Sequence, residues 1–429
     1  MIPIEDAPLD PAPAWRLADA VARRSYGKLV ALLAVRSGDL AAAEDLLAEA
    51  FVTALSEWPR HGCPANPEGW LLTVARRSLI DATRRARMHE RVLADLHPAL
   101  DWLTPAPAAE LPDHRLALLV ACAHPALDPT IHTPLMLQAV LGVNAATIAS
   151  AFLVAPAAMS QRLVRAKIKI KQAGIPFRIP ARAEWPGRLS AVLDAIYTAF
   201  TVGWTDPDGT DLARSDLAAE ALFLAQLVTD LLPDEPEALG LYALLLHSEA
   251  RRPARRTAAG AYVPLAEQDT GRWTMALIAR AERLLRQASS AGTMGRYQLE
   301  GAIQSAHVVR RLTGRDTWPA VVQLYDGLLA LSASPVVAVN RALAVAAVAG
   351  PVVALQELAQ VASDGRLQSY QPYWAMRADL LAKTGAWAEA RRSYEIAIGL
   401  ERDPAVRRFL WGQHARLENR TDDEPSADA

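Results

Sequence analysis

Two cysteines among 429 residues, Cys63 and Cys122, cannot build a disulfide framework, so the chain is expected in a reducing, cytoplasmic setting. Aromatic residues are scarce at 6%, and no segment alternates apolar and polar side chains over the length of a strand, which removes the usual material of sheets. Runs of about 18 uninterrupted apolar residues are missing too, and no membrane span is expected. The acidic, proline-rich start MIPIEDAPLDPAPAW reads as neither a secretory nor a transit peptide. Phosphate loop, nucleophile elbow and dinucleotide fingerprint are all absent, so the expectation is a protein that is not an enzyme and needs no cofactor.

Neither sign of charge dominates. The net charge is −2, but residues 1–180 carry 19 Lys/Arg against 17 Asp/Glu, while residues 181–429 carry 26 against 30. Only local clustering could then give a nucleic-acid footprint. No metal site is expected either. His61 and Cys63 lie on the far side of a proline-rich break from Cys122 and His124, and zinc requires four convergent ligands. Asp206, Asp208 and Asp211 lack the distal glutamate of a calcium loop and read as a polar turn.

What the chain has is helix-forming residues. Apolar residues reach 52%, rich in alanine and leucine, and the periodicity is helical nearly throughout. The breaks LHPALDWLTPAPAAELP (Leu96–Pro112) and GIPFRIPARAEWP (Gly174–Pro186) set off two small helical units, and a longer helical region runs from there to about Glu418. The end, NRTDDEPSADA, reads as a polar tail.

Three segments carry chemistry. In the first, Asp39 caps a helix on which Leu40, Leu47, Phe51, Leu55 and Trp58 are expected to share the buried face. Asp45 and Glu49, with Glu44 beside them, form an acidic face suited to a basic protein partner. Support of the helix dipole does not account for Glu49, which lies beyond the first turn. The second is NPEGWLLTVARRSLIDATRRARMHER. Leu71, Ala75, Leu79 and Ala82 form a narrow apolar face, while Trp70, Arg77 and Arg84 follow one another at seven-residue intervals on another stripe, near Thr73, Arg76 and Arg87. Taken alone, this stripe fits a solvated arginine face or a surface that grips phosphates while a ring meets an unstacked base.

The third segment is NAATIASAFLVAPAAMSQRLVRAKIKIK. Asn144 caps a short helix, a Leu-Val-Ala turn follows, and Pro156 opens a second helix. Met159, Leu163, Ala166 and Ile170 form its apolar face; Gln161, Arg162, Arg165 and Lys169 lie away from it, and no acid occurs from Pro156 to Arg178. This is the pattern of a helix-turn-helix with a basic reading helix, which an ordinary helical hairpin with a lysine-rich outside would share.

Near the C-terminus, Trp374, Ala378, Leu381, Gly385, Ala390, Tyr394 and Ala397 match the tetratricopeptide pattern. Gly350 holds the same turn position 35 residues before Gly385, and Trp318, Val352 and Trp387 keep spacings of 34 and 35.

Acidic helix, WLLTVARRSLID helix, proline-rich linker and basic helix-turn-helix occur in the order of the extracytoplasmic-function (sigma-70 family, group IV) sigma factors of bacterial RNA polymerase. The phrases AEDLLAEAFVTALSEWP, LLPDEPEALGLYALLLH, QDTGRW and SPVVAVNRALAV resemble the subgroup with a C-terminal tetratricopeptide extension, so the likeness covers nearly the whole chain. It implies an all-α protein. A region 2 domain would occupy residues 1–92, a linker 93–112, a region 4 helix-turn-helix domain 113–180, a repeat solenoid 181–418 and a disordered tail 419–429.

The resemblance also implies partners and roles. Glu44, Asp45 and Glu49 would dock on core RNA polymerase. Trp70, Arg76, Arg77, Arg84 and Arg87 would engage and help open the −10 element of promoter DNA. Gln161, Arg162, Arg165 and Lys169 would contact the −35 element, and the repeats would modulate activity or receive a protein partner. Some positions depart from the pattern: Ala48 stands for a polar residue, Thr147 for the glutamate of Ala-Glu-Ile-Ala, and Thr201-Val202-Gly203-Trp204 for Asn-Glu-Gly-Tyr. Ala155 and Ala157 remove capping options worth about 1 kcal/mol. The alternative is a repeat scaffold whose front no longer initiates transcription.

Overall fold

The computed structural model describes residues 12–89, 114–152, 154–178, 181–204 and 212–417. The proline-rich linker, the polar tail and the Asp206–Asp211 turn read from the sequence lie outside them. Among the described residues the secondary structure is helical, apart from one isolated bridge between Arg256 and Tyr262. No helix there is long and apolar enough to cross a membrane. Two compact units divide the chain, Met1–Ala199 and Phe200–Ala429.

The N-terminal unit begins with α1 (Ala12–Ser37), α2 (Leu40–His61) and α3 (Pro67–His89). Asp39 caps α2 by accepting from the amides of Ala41 and Ala42, and Gly62 with φ +88° ends it. The buried face of α2 holds Leu40, Leu47 and Trp58 as expected, together with Ala43, Ala50 and Ala54. Leu55 corrects the expected face, being 45% exposed. At roughly 100° per residue it lies about 80° from Leu47, whereas Trp58 returns to within about 20°.

Further along lie α4 (Arg115–Cys122), α5 (Pro129–Ala139), α6 (Ala145–Ala151), α7 (Pro156–Gln172) and α8 (Leu189–Trp204), whose end passes into the second unit. Every residue of α4 is buried, and it packs on both α1 and α5. Gly27 of α1 lies against the Val140 backbone at the end of α5, so close that a Cβ would fall on the Val140 carbonyl. Only glycine permits this approach of two backbones.

The C-terminal unit continues with α9 (Leu212–Leu231), α10 (Pro236–Ala250), α11 (Met275–Ser289), α12 (Arg296–Thr313), α13 (Trp318–Leu331), α14 (Pro335–Ala349), α15 (Pro351–Val361), α16 (Gln371–Lys383), α17 (Trp387–Leu400) and α18 (Pro404–Ala415). α10 and α11 pack closely on each other, although the connection between them, residues 251–274, is long and forms short turns and the isolated bridge. Glu237 of α10 caps α12 across space, accepting from the amides of Tyr297 and Gln298 at 3.0 and 3.1 Å. Farther on, apolar clusters are shared between successive helix pairs, as in a solenoid. Val339, Ala354, Leu358 and Tyr373 form one; Ala378, Trp387, Ala390, Tyr394 and Ala397 form the next. Gly350 and Gly385, with φ of +88° and +84°, make the tight turns at the spacing read from the sequence.

His307 on α12 is half-buried against Trp318, with ring centroids 5.5 Å apart. Burial first, then Arg310 and Arg251, push its pKa down to about 4. A histidine neutral in the fold but titrating near 6.5 when unfolded takes up its proton in the unfolded state first. Stability is therefore full above about pH 6.5 and falls as pH drops toward 4, by about 2–3 kcal/mol from this group. Urea denaturation of wild type and His307→Gln across that range is expected to show a loss larger in wild type by about 2–3 kcal/mol.

Candidate nucleic-acid interface

The surface around α3 is built from its first turn. Asn66 accepts from the Gly69 amide at 2.9 Å, and Glu68 accepts from the buried Ser25 hydroxyl of α1 at 2.5 Å. Lys28 stands 4.0 Å from the other Glu68 oxygen. These ties anchor the start of α3 on α1 and so place Trp70. Its ring meets that of buried Trp58 edge to face, with centroids 5.5 Å apart at 67°, and remains half-buried. Leu71, Leu72 and Ala75 are buried; Leu79 is only partly so.

Thr73 and Arg77 are exposed on α3 near Trp70. Arg76 is half-buried, and burial followed by the charge of Arg36 lowers its pKa. Arg36 sits in the last turn of α1 and is exposed, so packing gathers a basic patch from two helices. The sequence reading missed Arg36, because only tertiary packing brings it to Arg76. Arg84 and Arg87 lie on α3, with side chains outside the described residues.

On α2, Asp45 and Glu49 are exposed, and so are Ala48, Val52 at 68% and Leu55 on the same side. Glu44 differs from its neighbours. It turns inward and pairs with Lys167 of α7 at 2.5 Å, both side chains being largely buried. Burial lifts its pKa above the usual carboxylate range against the pull of Lys167.

In the third segment Asn144 accepts from the Thr147 amide at 2.8 Å at the start of α6, and Pro156 opens α7; Leu153 of the expected turn lies outside the described residues. Met159, Leu163, Ala166 and Ile170 are its buried face. Gln161, Arg165 and Lys169 are exposed. Arg162 is not free: it is half-buried and donates to the Thr130 hydroxyl of α5 at 2.7 Å. Val164 and Ile168, 56% and 47% exposed, share the face of Gln161 and Arg165 and had not been singled out. At the far end of α7, Lys171 pairs with Asp39 at 2.7 Å. Burial pushes Asp39 upward, but hydrogen bonds from Lys171 and the Ala42 and Ala41 amides outweigh it and hold the carboxyl below its usual range.

An uncharacterized protein of Rhizobium meliloti (strain 1021) is 38% identical over 364 residues, covering 83% of this chain and 86% of that protein. Residues 21–88, which span most of α1 and all of α2, match the model of Sigma-70 region 2 and end within α3. The chain belongs to one family with the Rhizobium meliloti protein, and its residues 21–88 are a sigma-70 region 2 segment. The acidic face of α2 and the Trp70–Arg77 face of α3 both lie within the matched residues 21–88. Residues 188–289 match a family of unknown function (DUF6596), and the helix-turn-helix falls between the two matched segments. No solved structure matches.

Proposed function

We propose that the chain is an extracytoplasmic-function sigma factor that binds core RNA polymerase, directs it to promoters through −35 and −10 contacts, and helps open the strands. The observation that carries this reading is the occurrence of two chemically different faces within residues 21–88, the second with a half-buried ring among exposed polar groups. Asp45, Glu49 and Val52 stand on one, and Trp70, Thr73 and Arg77 on the other. The first suits a basic protein groove; the second can hold phosphates and stack one unpaired base. On α7, Gln161 and Arg165 offer hydrogen bonds to base edges, while Val164 and Ile168 suit thymine methyl groups.

Charge reversal tests the docking face. Asp45→Arg with Glu49→Arg is expected to weaken binding to core polymerase at least tenfold in a fluorescence-anisotropy titration while the fold, followed by circular dichroism, is kept. Unchanged affinity would exclude this face from docking.

Glu44–Lys167, Lys171–Asp39 and the Gly27–Val140 approach together close the region 2 helices on the helix-turn-helix. In this closed arrangement α7 is tethered at both Lys167 and Lys171, so polymerase engagement has to separate the two halves before α7 reaches DNA. The C-terminal solenoid, read as tetratricopeptide-like, modulates activity in cis or through a protein partner. Ending the chain after Trp204, beyond the compact N-terminal unit, is expected to change promoter-specific transcription severalfold. An unchanged transcript yield would argue against a regulatory solenoid.

A further inference from the structure

The α10–α11 connection of the C-terminal unit encloses a cavity of about 240 Å³ whose wall includes Trp204, Arg251, Arg255, Gln268, Gln304 and His307. Among the described residues no carboxylate lines it. Two guanidinium groups do, and among the described residues neither forms an ion pair. Arg251, 9% exposed, donates from Nε to the His247 carbonyl at 3.2 Å and from Nη2 to Gln304 Oε1 at 2.5 Å. Arg255 donates to the Trp204 carbonyl at 3.2 Å, and its guanidinium carbon lies 4.6 Å from the Trp204 ring centroid. All these partners are neutral.

Burial, and then the charge of Arg255, bring Arg251 down to about 10, still cationic at neutral pH. A buried cation beside a half-buried one, with no directly paired carboxylate, is costly, and each raises the cost of the other. Neighbours in the same ARRPARR segment are treated differently. Arg252 pairs with Glu249 at 2.7 Å and Arg256 with Asp403 at 2.6 Å. The connection thus pairs its other arginines directly with carboxylates, whereas among the described residues the two cavity arginines have none in direct contact, Asp403 acting on Arg255 only at longer range. The remaining wall offers polar atoms in need of partners: Gln268 is 5% exposed with Oε1 unpartnered, and His307, neutral, has Nδ1 unpartnered.

We propose that this cavity is a binding site for a small organic oxyanion, a phosphorylated or carboxylated metabolite whose anionic group is held by Arg251 and Arg255. Its uncharged part lies toward Gln268 and His307. A volume below the roughly 300 Å³ at which drug-sized ligand sites begin suits a small metabolite rather than a peptide or nucleic-acid strand. Forked guanidinium donors bind both phosphate and carboxylate groups in bidentate fashion. Because Arg255 also holds the last carbonyl of α8, an occupied site ties the end of that helix to the α10–α11 connection. The site stands independently of the transcriptional role.

The test is thermal unfolding of the full chain with inorganic phosphate, glycerol 3-phosphate or malonate, each against sodium chloride at equal ionic strength. Wild type is expected to show a saturable rise of about 5 °C or more at a hundredfold excess over Kd. The probe that saturates at the lowest concentration distinguishes phosphate from carboxylate. Arg255→Lys, which keeps the charge but not the fork, is expected to weaken binding at least tenfold, while exposed Arg283→Gln on α11 leaves it unchanged. Should Arg251→Lys fail to fold, Arg255→Lys still decides the outcome. A rise equal in chloride, or equal in wild type and Arg255→Lys, overturns the proposal.

Discussion

Replacing Trp70 with alanine is expected to leave binding to core polymerase intact and to cut promoter opening by about ten- to hundred-fold, the worth of about 1–3 kcal/mol of base–aromatic stacking. Permanganate reactivity of unpaired thymines reads the opening directly. Trp70 also packs edge to face on Trp58, so removing the ring loses a contact worth about 0.5–1.5 kcal/mol to the fold. The two losses are separable. Trp70→Phe keeps a ring and much of the packing, and is expected to open promoters better than Trp70→Ala at similar stability. Should Trp70→Ala open promoters at the wild-type rate, the stacking role is wrong even though the family stands.

Lys167→Glu is expected to have the second large effect. It sets two carboxylates together where Glu44 and Lys167 are paired, their side chains 16% and 11% exposed. Breaking a buried pair from one side costs about 3–5 kcal/mol, since the remaining charge stays buried without its partner. In the free protein that cost falls on the contact between α2 and α7. If the closed arrangement has to open before polymerase and DNA are engaged, the variant binds core polymerase more tightly than wild type while unfolding more readily. The double change Glu44→Lys with Lys167→Glu restores the pair in reverse, and both properties are expected to return toward wild type. Weaker polymerase binding in Lys167→Glu, with no recovery in the double variant, would mean that closure does not oppose engagement.

Local features were the legible ones. Asp39 and Asn144 act as caps because a short acceptor before a helix needs no tertiary information, and Gly350 and Gly385 turn where helical periodicity stops. The buried faces of α2 and α7 followed from a 3.6-residue period, with Leu55 lost because it lies at the edge of that stripe. Features made by packing distant segments were invisible. Arg36 joins Arg76 across two helices, Lys167 reaches Glu44 over 123 positions, and Arg162 turns back to Thr130. The ARRPARR phrase shows a basic run but not which arginines are neutralised. That depends on Glu249 nearby and on Asp403 some 147 positions beyond Arg256.

Reconstitution decides the central claim. The full chain is added to purified core RNA polymerase with a pool of genomic DNA fragments, and the 5′ ends of the run-off transcripts are sequenced. The proposed function predicts transcripts that depend on the chain and share one −35 and one −10 sequence upstream of their starts. Binding to polymerase without any chain-dependent start would contradict it and leave the chain a scaffold with a sigma-like front.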